Sequence, residues 1–300
     1  MATWKEIKRR IKSIKNTAKI TKAMELISTV KMKKAQDLAL EKKEYIRWLL
    51  EVLMNFNSNF KNTRYFSNDI KSTKTLWIII TSNKWLCWGY NVNSMKKVNE
   101  YIKSNPNEQM KFVSLWKRGS QFVARTWNEL ISDFSENFSD HINFHFSKSI
   151  SSYIIKEFLE NNYWKVVIFY NHFINTIRQV PIQRVFLPLN DEDIEKYFSS
   201  ILWYDYKYTK DDKPKSYRIE PSNKELLEEA LPMLIDSMFF DIMIEAKASE
   251  HSSRMIAMKN AKDSANKFAS KLTLQYNKAR QAAITKEISE IVSWVESMKD

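Results

Sequence analysis

Both ends of this 300-residue chain lack the residues that stop a helix: neither proline nor glycine occurs in residues 1–88 or in residues 233–300. Proline removes a backbone donor and clashes with the preceding turn, and glycine costs conformational entropy, so their absence leaves long helices uninterrupted. Helices over residues 3–55 and 223–297 would each run roughly 80–110 Å at ~1.5 Å per residue. A compact domain of this length is far narrower. Two such ends are most simply buried against each other.

The apolar spacing agrees. Ile7, Ile11, Ile14 and Ala18 recur at intervals of 4, 3 and 4, the stripe of a coiled coil. A second group, Ile20, Met24 and Ile27, is offset from the first and predicts a seam that shifts around the helix. Toward the other end, Phe268, Leu272, Ala279 and Ala283 mark one face. Ile284, Ile288, Ile291 and Val295 follow at 4, 3 and 4, and small Ala279, Ala282 and Ala283 would let a neighbouring helix approach closely. This helix has a sequence-level start: Ser222 after Pro221, with Glu225 three residues on, reads as a capping box, and Pro232 is a candidate kink.

Between the ends, strand and helix patterns alternate. Strands are predicted at residues 75–82, 110–115, 164–170 and 179–187, and helices at 91–104, 117–127 and 147–162. Alternation of this kind predicts a mainly parallel α/β layer. The expected fold is a long coiled coil of the N- and C-terminal helices with a Rossmann-like α/β domain inserted. Its parts are an N-terminal helix at 1–56, the α/β domain at 75–189, a polar linker at 190–221, and a C-terminal helix at 222–300 pairing with 1–56.

A formal charge of +13 points to an acidic partner: nucleic acid, an anionic membrane surface or an acidic protein. The charge is concentrated in residues 1–40, which hold eleven Lys or Arg against three acids. A merely solvated helix face is the plain alternative. The single Cys87 rules out a disulfide framework, and four histidines without acidic or cysteine clusters at ligand spacing predict no metal site and no cofactor. No apolar run reaches the ~18–20 residues of a membrane span. The two glycines, Gly89 and Gly119, are isolated, and no phosphate-binding GxxxxGK[ST] loop exists, so no catalytic residue is assigned.

Three segments carry a resemblance: KEIKRRIKSIKNTAKITKAMELIS (residues 5–28), YNHFINTIRQVP (170–181), and ASEHSSRMIAMKNAKDSANKF with LTLQYNKARQAAITKEISEIV (within 248–292). In order and spacing they resemble the γ subunit of the F-type ATP synthase, from end to end. That resemblance implies an antiparallel, left-handed coiled coil turning inside a hexameric ring of α and β subunits. It implies further contacts with a small ε subunit and a membrane ring of c subunits, at the cytoplasmic face of a membrane, with no catalysis by this chain and no nucleic acid. Met24 matches a methionine near an acidic lever loop of the catalytic subunit, with basic Lys22 beside it. Arg280, Gln281, Thr285 and Glu287 match residues that hydrogen-bond a catch loop. The tip at 291–295 would turn in an apolar sleeve. On spacing alone, Met24 reads as a core-facing coiled-coil residue, Arg280 and Gln281 as a solvated face, and the tip as buried against its own partner helix. A basic coiled-coil protein binding nucleic acid is the alternative function; it leaves the inserted α/β layer unexplained.

Two glycines are far fewer than the roughly twenty-one that an average usage of ~7% predicts. Ten tryptophans accompany them. Trp77, Trp85, Trp88, Trp116 and Trp294 stand where the resembled family commonly has glycine, and Trp4 and Trp127 are further candidates. The codon UGA is read as glycine in some bacterial lineages and as tryptophan in others, which would place tryptophan at glycine sites. Drift toward tryptophan in an AT-rich genome is the alternative. On the first reading, the turn at Trp85 and Trp88 is expected at positive φ and crowded.

Overall fold

A computed structural model describes residues 4–42, 44–46, 48–49, 63–66, 73–135, 143–160, 163–190 and 223–298. The chain divides into two compact units, one made of Met1–Val30 with Arg254–Asp300, the other of Lys31–Ser253. Two long helices contribute to both: α1 at Trp4–Glu41 and α5 at Asn223–Ser297, the latter running unbroken through Pro232. Residues 31–49 and 223–253, which sequence assigns to the paired helices, fall in the second unit. The expected cap at Ser222, the linker at 190–221 and the end of the N-terminal helix beyond residue 49 lie outside the described residues.

The first unit is a pair of antiparallel helices. The Trp4 ring lies 6.2 Å from that of Tyr276, and Glu25 meets Lys262 at 2.7 Å, so one number falls as the other rises. Along the seam α1 is covered at Ile7, Ile11, Ile14, Ala18, Thr21, Glu25 and Ser28, and α5 at Met258, Lys262, Ala265, Ala269, Leu272, Tyr276, Ala279 and Ala283, with Trp4, Met24, Ala261 and Thr273 partly covered at its margins. Both seam sets alternate intervals of 4 and 3, the 3.5-residue period that imposes a left-handed supercoil.

This seam corrects two expectations. It does not move to Ile20, Met24 and Ile27: Ile20 and Ile27 are 56% and 55% exposed, and only Met24 is partly covered. The stripe continues instead through Thr21 and Ser28, whose hydroxyls donate to the carbonyls of Thr17 and Met24, satisfying their polarity within the helix. Phe268 likewise points outward, one position away from buried Ala269. Small side chains hold the helices together here, and the larger ones face out.

In the second unit a five-stranded sheet has the order β3-β2-β1-β4-β5. Its strands are β1 Lys74–Ile79, β2 Gln109–Ser114, β3 Glu129–Asp133, β4 Lys165–Phe173 and β5 Gln179–Leu187. The first four are parallel, and β5 returns antiparallel to β4. The helices are α2 Trp88–Ser104, α3 Lys117–Arg125 and α4 Phe144–Glu160. Strand β3 was hidden in a stretch without clear patterning, because its ELISD run is only partly covered and too short to alternate visibly.

Side chains two apart on a strand share a face, and each face here has its own core. On one, Leu76, Ile78, Val113, Val166 and Ile168 meet Ile150, Ile154 and Phe158 of α4 and Leu234, Ile235, Phe239 and Ile242 of α5. On the other, Trp77, Ile79, Phe112, Val167 and Phe169 meet Val98 of α2 and Val123 of α3. The α5 segment 230–252 is covered on nearly all sides, as expected for a helix apolar around its circumference.

Candidate functional site

In a parallel sheet of this order, ligands usually enter the crevice beyond the strand ends where the order reverses, here between β1 and β4. That crevice is occupied by the chain itself. The Asn91 amide donates to Ser82 Oγ at 2.8 Å, and the Asn171 amide donates to Ser94 Oγ at 2.5 Å and to the Tyr90 carbonyl at 3.3 Å. The Tyr90 hydroxyl in turn donates to the Ala246 carbonyl of α5 at 3.2 Å. Cys87 is buried beside Ser82, its thiol 3.3 Å from the serine oxygen. Close by, Gly119 donates its N–H to Thr81 Oγ1 at 2.8 Å, and a Cβ there would come within 2.5 Å of Ser114 Oγ. Among the described residues, no group of three His, Cys, Asp or Glu is arranged to hold a metal.

Two of the three sequence motifs meet in this unit. His172 of β4 pairs with Glu245 of α5, and the Phe173 N–H donates to the same carboxylate at 3.1 Å. The Ser252 hydroxyl donates to the Thr176 carbonyl at 2.5 Å and accepts from the Gln179 amide at 3.2 Å. The hydrogen bond to Glu245 raises the His172 pKa against partial burial, while Arg184 opposes it weakly. Burial pushes the Tyr170 hydroxyl up as well. These contacts clasp the β4–β5 hairpin to α5. The buried Lys247–Glu250 pair, at 2.8 Å, sits next to the clasp on α5, with the lysine 4.2 Å from the Trp116 ring.

The predicted partner-facing residues lie in the helix pair, in two groups. Lys22 is exposed and Met24 half-buried, near the Glu25–Lys262 contact. Arg280, Gln281, Thr285 and Glu287 are all exposed, and the Thr285 hydroxyl donates back to the Gln281 carbonyl at 2.9 Å. From the region facing Lys22 to Arg280 is roughly 24 Å along the axis at ~1.5 Å per residue. The structure therefore does not bring the two groups together. All eight Lys and Arg between residues 4 and 30 are exposed.

Sequence reasoning missed one apolar surface, and of its two readings of another the structure excludes burial within the chain. Ile20, Leu26, Ile27 and Val30 flank Met24 on the outside of α1, where their offset from the seam register was the available signal. At the far end of α5, Ile284, Ile288, Ile291, Val292, Trp294 and Val295 are all exposed, so the tip is not buried on a partner helix of its own chain. Among the described residues, no helix is long and apolar enough to cross a membrane.

The turn expected to be strained is not. Lys84 has φ −112°, Trp88 has φ −54°, and Trp85–Cys87 form a single 3₁₀ turn, with both indoles well exposed rather than crowded. The Arg118 guanidinium lies 4.0 Å from the centre of the Trp85 ring. Strain sits elsewhere: Trp127 has φ +55°, which also ends α3 two residues before the predicted limit.

A family model described as ATP synthase matches residues 3–298. The chain is 33% identical to the ATP synthase gamma chain of Pelagibacter ubique (strain HTCC1062) over 305 residues, covering 99% of this chain and 100% of that protein. It is 34% identical to the ATP synthase gamma chain of Trichlorobacter lovleyi over 302 residues, covering all of both. Its fold is similar to a chain in the rotor structure of Euglena gracilis mitochondrial ATP synthase, with a TM-score of 0.62 at 14% identity, covering 94% of this chain and 98% of that one.

Proposed function

The chain belongs to the ATP synthase γ family, and from that premise we propose that it is the central-stalk rotor subunit, coupling ion flow through a membrane ring to ATP synthesis or hydrolysis at the catalytic subunits. A site changes affinity only when something binds its conformations unequally. A helix pair whose sides differ offers a different surface to each of three surrounding catalytic subunits, biasing each toward a different conformation. Turning the pair then carries every site through weak, tight and open states. The chain contributes coupling free energy between remote sites and no chemistry of its own.

The observation that carries this reading is the exposed dress of the helix pair. A soluble chain rarely leaves a helix end with apolar residues on every turn uncovered, and the 284–298 segment does so. In the proposed assembly this tip turns in an apolar sleeve at the top of the α and β hexamer. Met24, with Ile20 and Ile27 beside it and Lys22 nearby, faces an acidic lever loop of the β subunit. Arg280, Gln281, Thr285 and Glu287 meet a catch loop higher in the ring, where the planar guanidinium fork of Arg280 suits a carboxylate. The sheet-bearing unit takes the ε subunit and the c ring as partners, which places the chain at the cytoplasmic face of the membrane as a peripheral subunit.

Reconstitution tests the proposal. Purified cognate α and β subunits are assembled with and without this chain, and multisite ATP hydrolysis is measured. Activity that requires the chain is expected. Equal activity without it would overturn the reading. Joint replacement Arg280→Ala and Gln281→Ala is expected to leave assembly intact and reduce turnover; unaltered turnover would remove the catch contact.

A further inference from the structure

We propose that glycine, not tryptophan, occupies positions 77 and 127 in the protein its organism makes, because one codon read here as tryptophan is decoded there as glycine. The leading observation is a helix end. After α3, the Thr126 N–H donates to the carbonyls of Phe122 and Val123 at 3.1 and 3.2 Å, and the Asn128 N–H reaches back to Val123 at 3.3 Å. That last bond closes a Schellman motif, which requires the residue before Asn128 to be left-handed and usually finds glycine there. Trp127 fills the position at φ +55°, the one non-glycine residue with positive φ among those described. Its Cβ opposes this conformation by about tenfold in equilibrium. The indole is 96% exposed, so no packing offsets the penalty.

Another tryptophan is misplaced in a different way. Trp77 is fully buried at the centre of the sheet, yet its indole N–H meets no acceptor among the described residues. An unpaired buried donor is unfavourable wherever it occurs. A left-handed turn and a buried donor have no common physical demand for tryptophan. A single decoding rule accounts for both, and for a chain with only two glycines. The backbone observation comes from the fold alone and is independent of the rotor reading.

Peptide mass mapping of the protein isolated from its own organism decides the matter. The tryptic peptide spanning 126–148 contains Trp127 and no other tryptophan, and that spanning 75–84 contains Trp77 alone. Masses with glycine at both are expected. Tryptophan in either peptide overturns the single-codon proposal. As a second measurement, Trp127→Gly made alone in the chain as written is expected to raise the folding equilibrium constant about tenfold; an unchanged or lower constant would remove the backbone support.

Discussion

The two units of this molecule bury very different things. In the sheet-bearing unit, Phe112, Phe158, Phe169, Phe239 and Ile78 are wholly enclosed between helices and strands. In the helix pair the fully buried positions are Ala18, Thr21, Ser28 and Ala269, with Leu272 and Met258 the larger exceptions; Ile7, Ile11, Ile14 and Tyr276 are only partly covered, and one Glu25–Lys262 pair joins the helices. Burial of apolar area stabilises by roughly 25 cal/mol per Å², so small seam residues contribute little each. The contrast teaches where the free energy of this chain resides. One unit is built to stay folded, and the other is built to be narrow and to leave its bulky residues for something outside itself.

The sharpest way to break that comparison is a pair of truncations. Phe239→Ala is expected to destabilise the sheet-bearing unit by about 3–5 kcal/mol, and Leu272→Ala in the seam by no more than about 2 kcal/mol, both read from denaturant midpoints. A seam loss equal to the core loss would contradict the division of labour. Buried charge gives a second contrast. Lys247→Met removes a buried cation beside Glu250 and is expected to cost about 3 kcal/mol, whereas Lys262→Met, in the solvated Glu25 pair of the seam, is expected to cost far less.

The His172–Glu245 clasp predicts a smaller, pH-dependent effect. Folding raises the histidine pKa, so its contribution is fully present below the unfolded value of 6.5 and fades as pH rises through the higher folded value. Because His172 is partly solvated, the amplitude is expected to stay below about 1 kcal/mol. The stability curve above pH 6.5 should flatten in His172→Gln, and an identical slope in both chains would show that the clasp is silent. Smallest of all, Ile288→Ser and Ile291→Ser on the bare tip should change stability by less than about 0.5 kcal/mol. The same substitutions should impair chain-dependent ATP hydrolysis in the reconstituted complex, which separates a partner-facing role from a structural one.

The legible parts of the fold were those with continuous apolar runs or heptad signals. The TLWIIITS and WKVVIFY runs became β1 and β4 because buried strands are continuously apolar, and β5 matched its predicted range of 179–187. On α5 the seam was legible at Leu272, Ala279 and Ala283, but on α1 only through Ala18. Beyond it, counting large apolar residues pointed to Ile20, Met24 and Ile27, when the packed positions were Thr21 and Ser28, whose hydroxyls bond within the helix and then behave as small spacers. Phe268 misled in the same way beside Ala269. Of the candidate site, Arg280, Gln281 and Glu287 are exposed, which a partner-facing role and ordinary solvation both require, and no spacing rule distinguishes the two. Position 127 was only a minor candidate in the glycine argument, since a left-handed residue after a short helix is a property of backbone hydrogen bonds rather than of composition.

The uncovered stretch of α5 has a practical consequence for handling the free chain. Lys278, Arg280 and Lys286 are exposed at the end of α5, where among the described residues only Ala279 and Ala283 keep any cover past Tyr276. Isolated single helices of about this length are marginal in water. Trypsin added to the purified chain should therefore nick this end first, shedding a short fragment while the sheet-bearing unit resists digestion. Withholding of that cleavage in a mixture would serve as a simple gauge of whether the end has found its bearing.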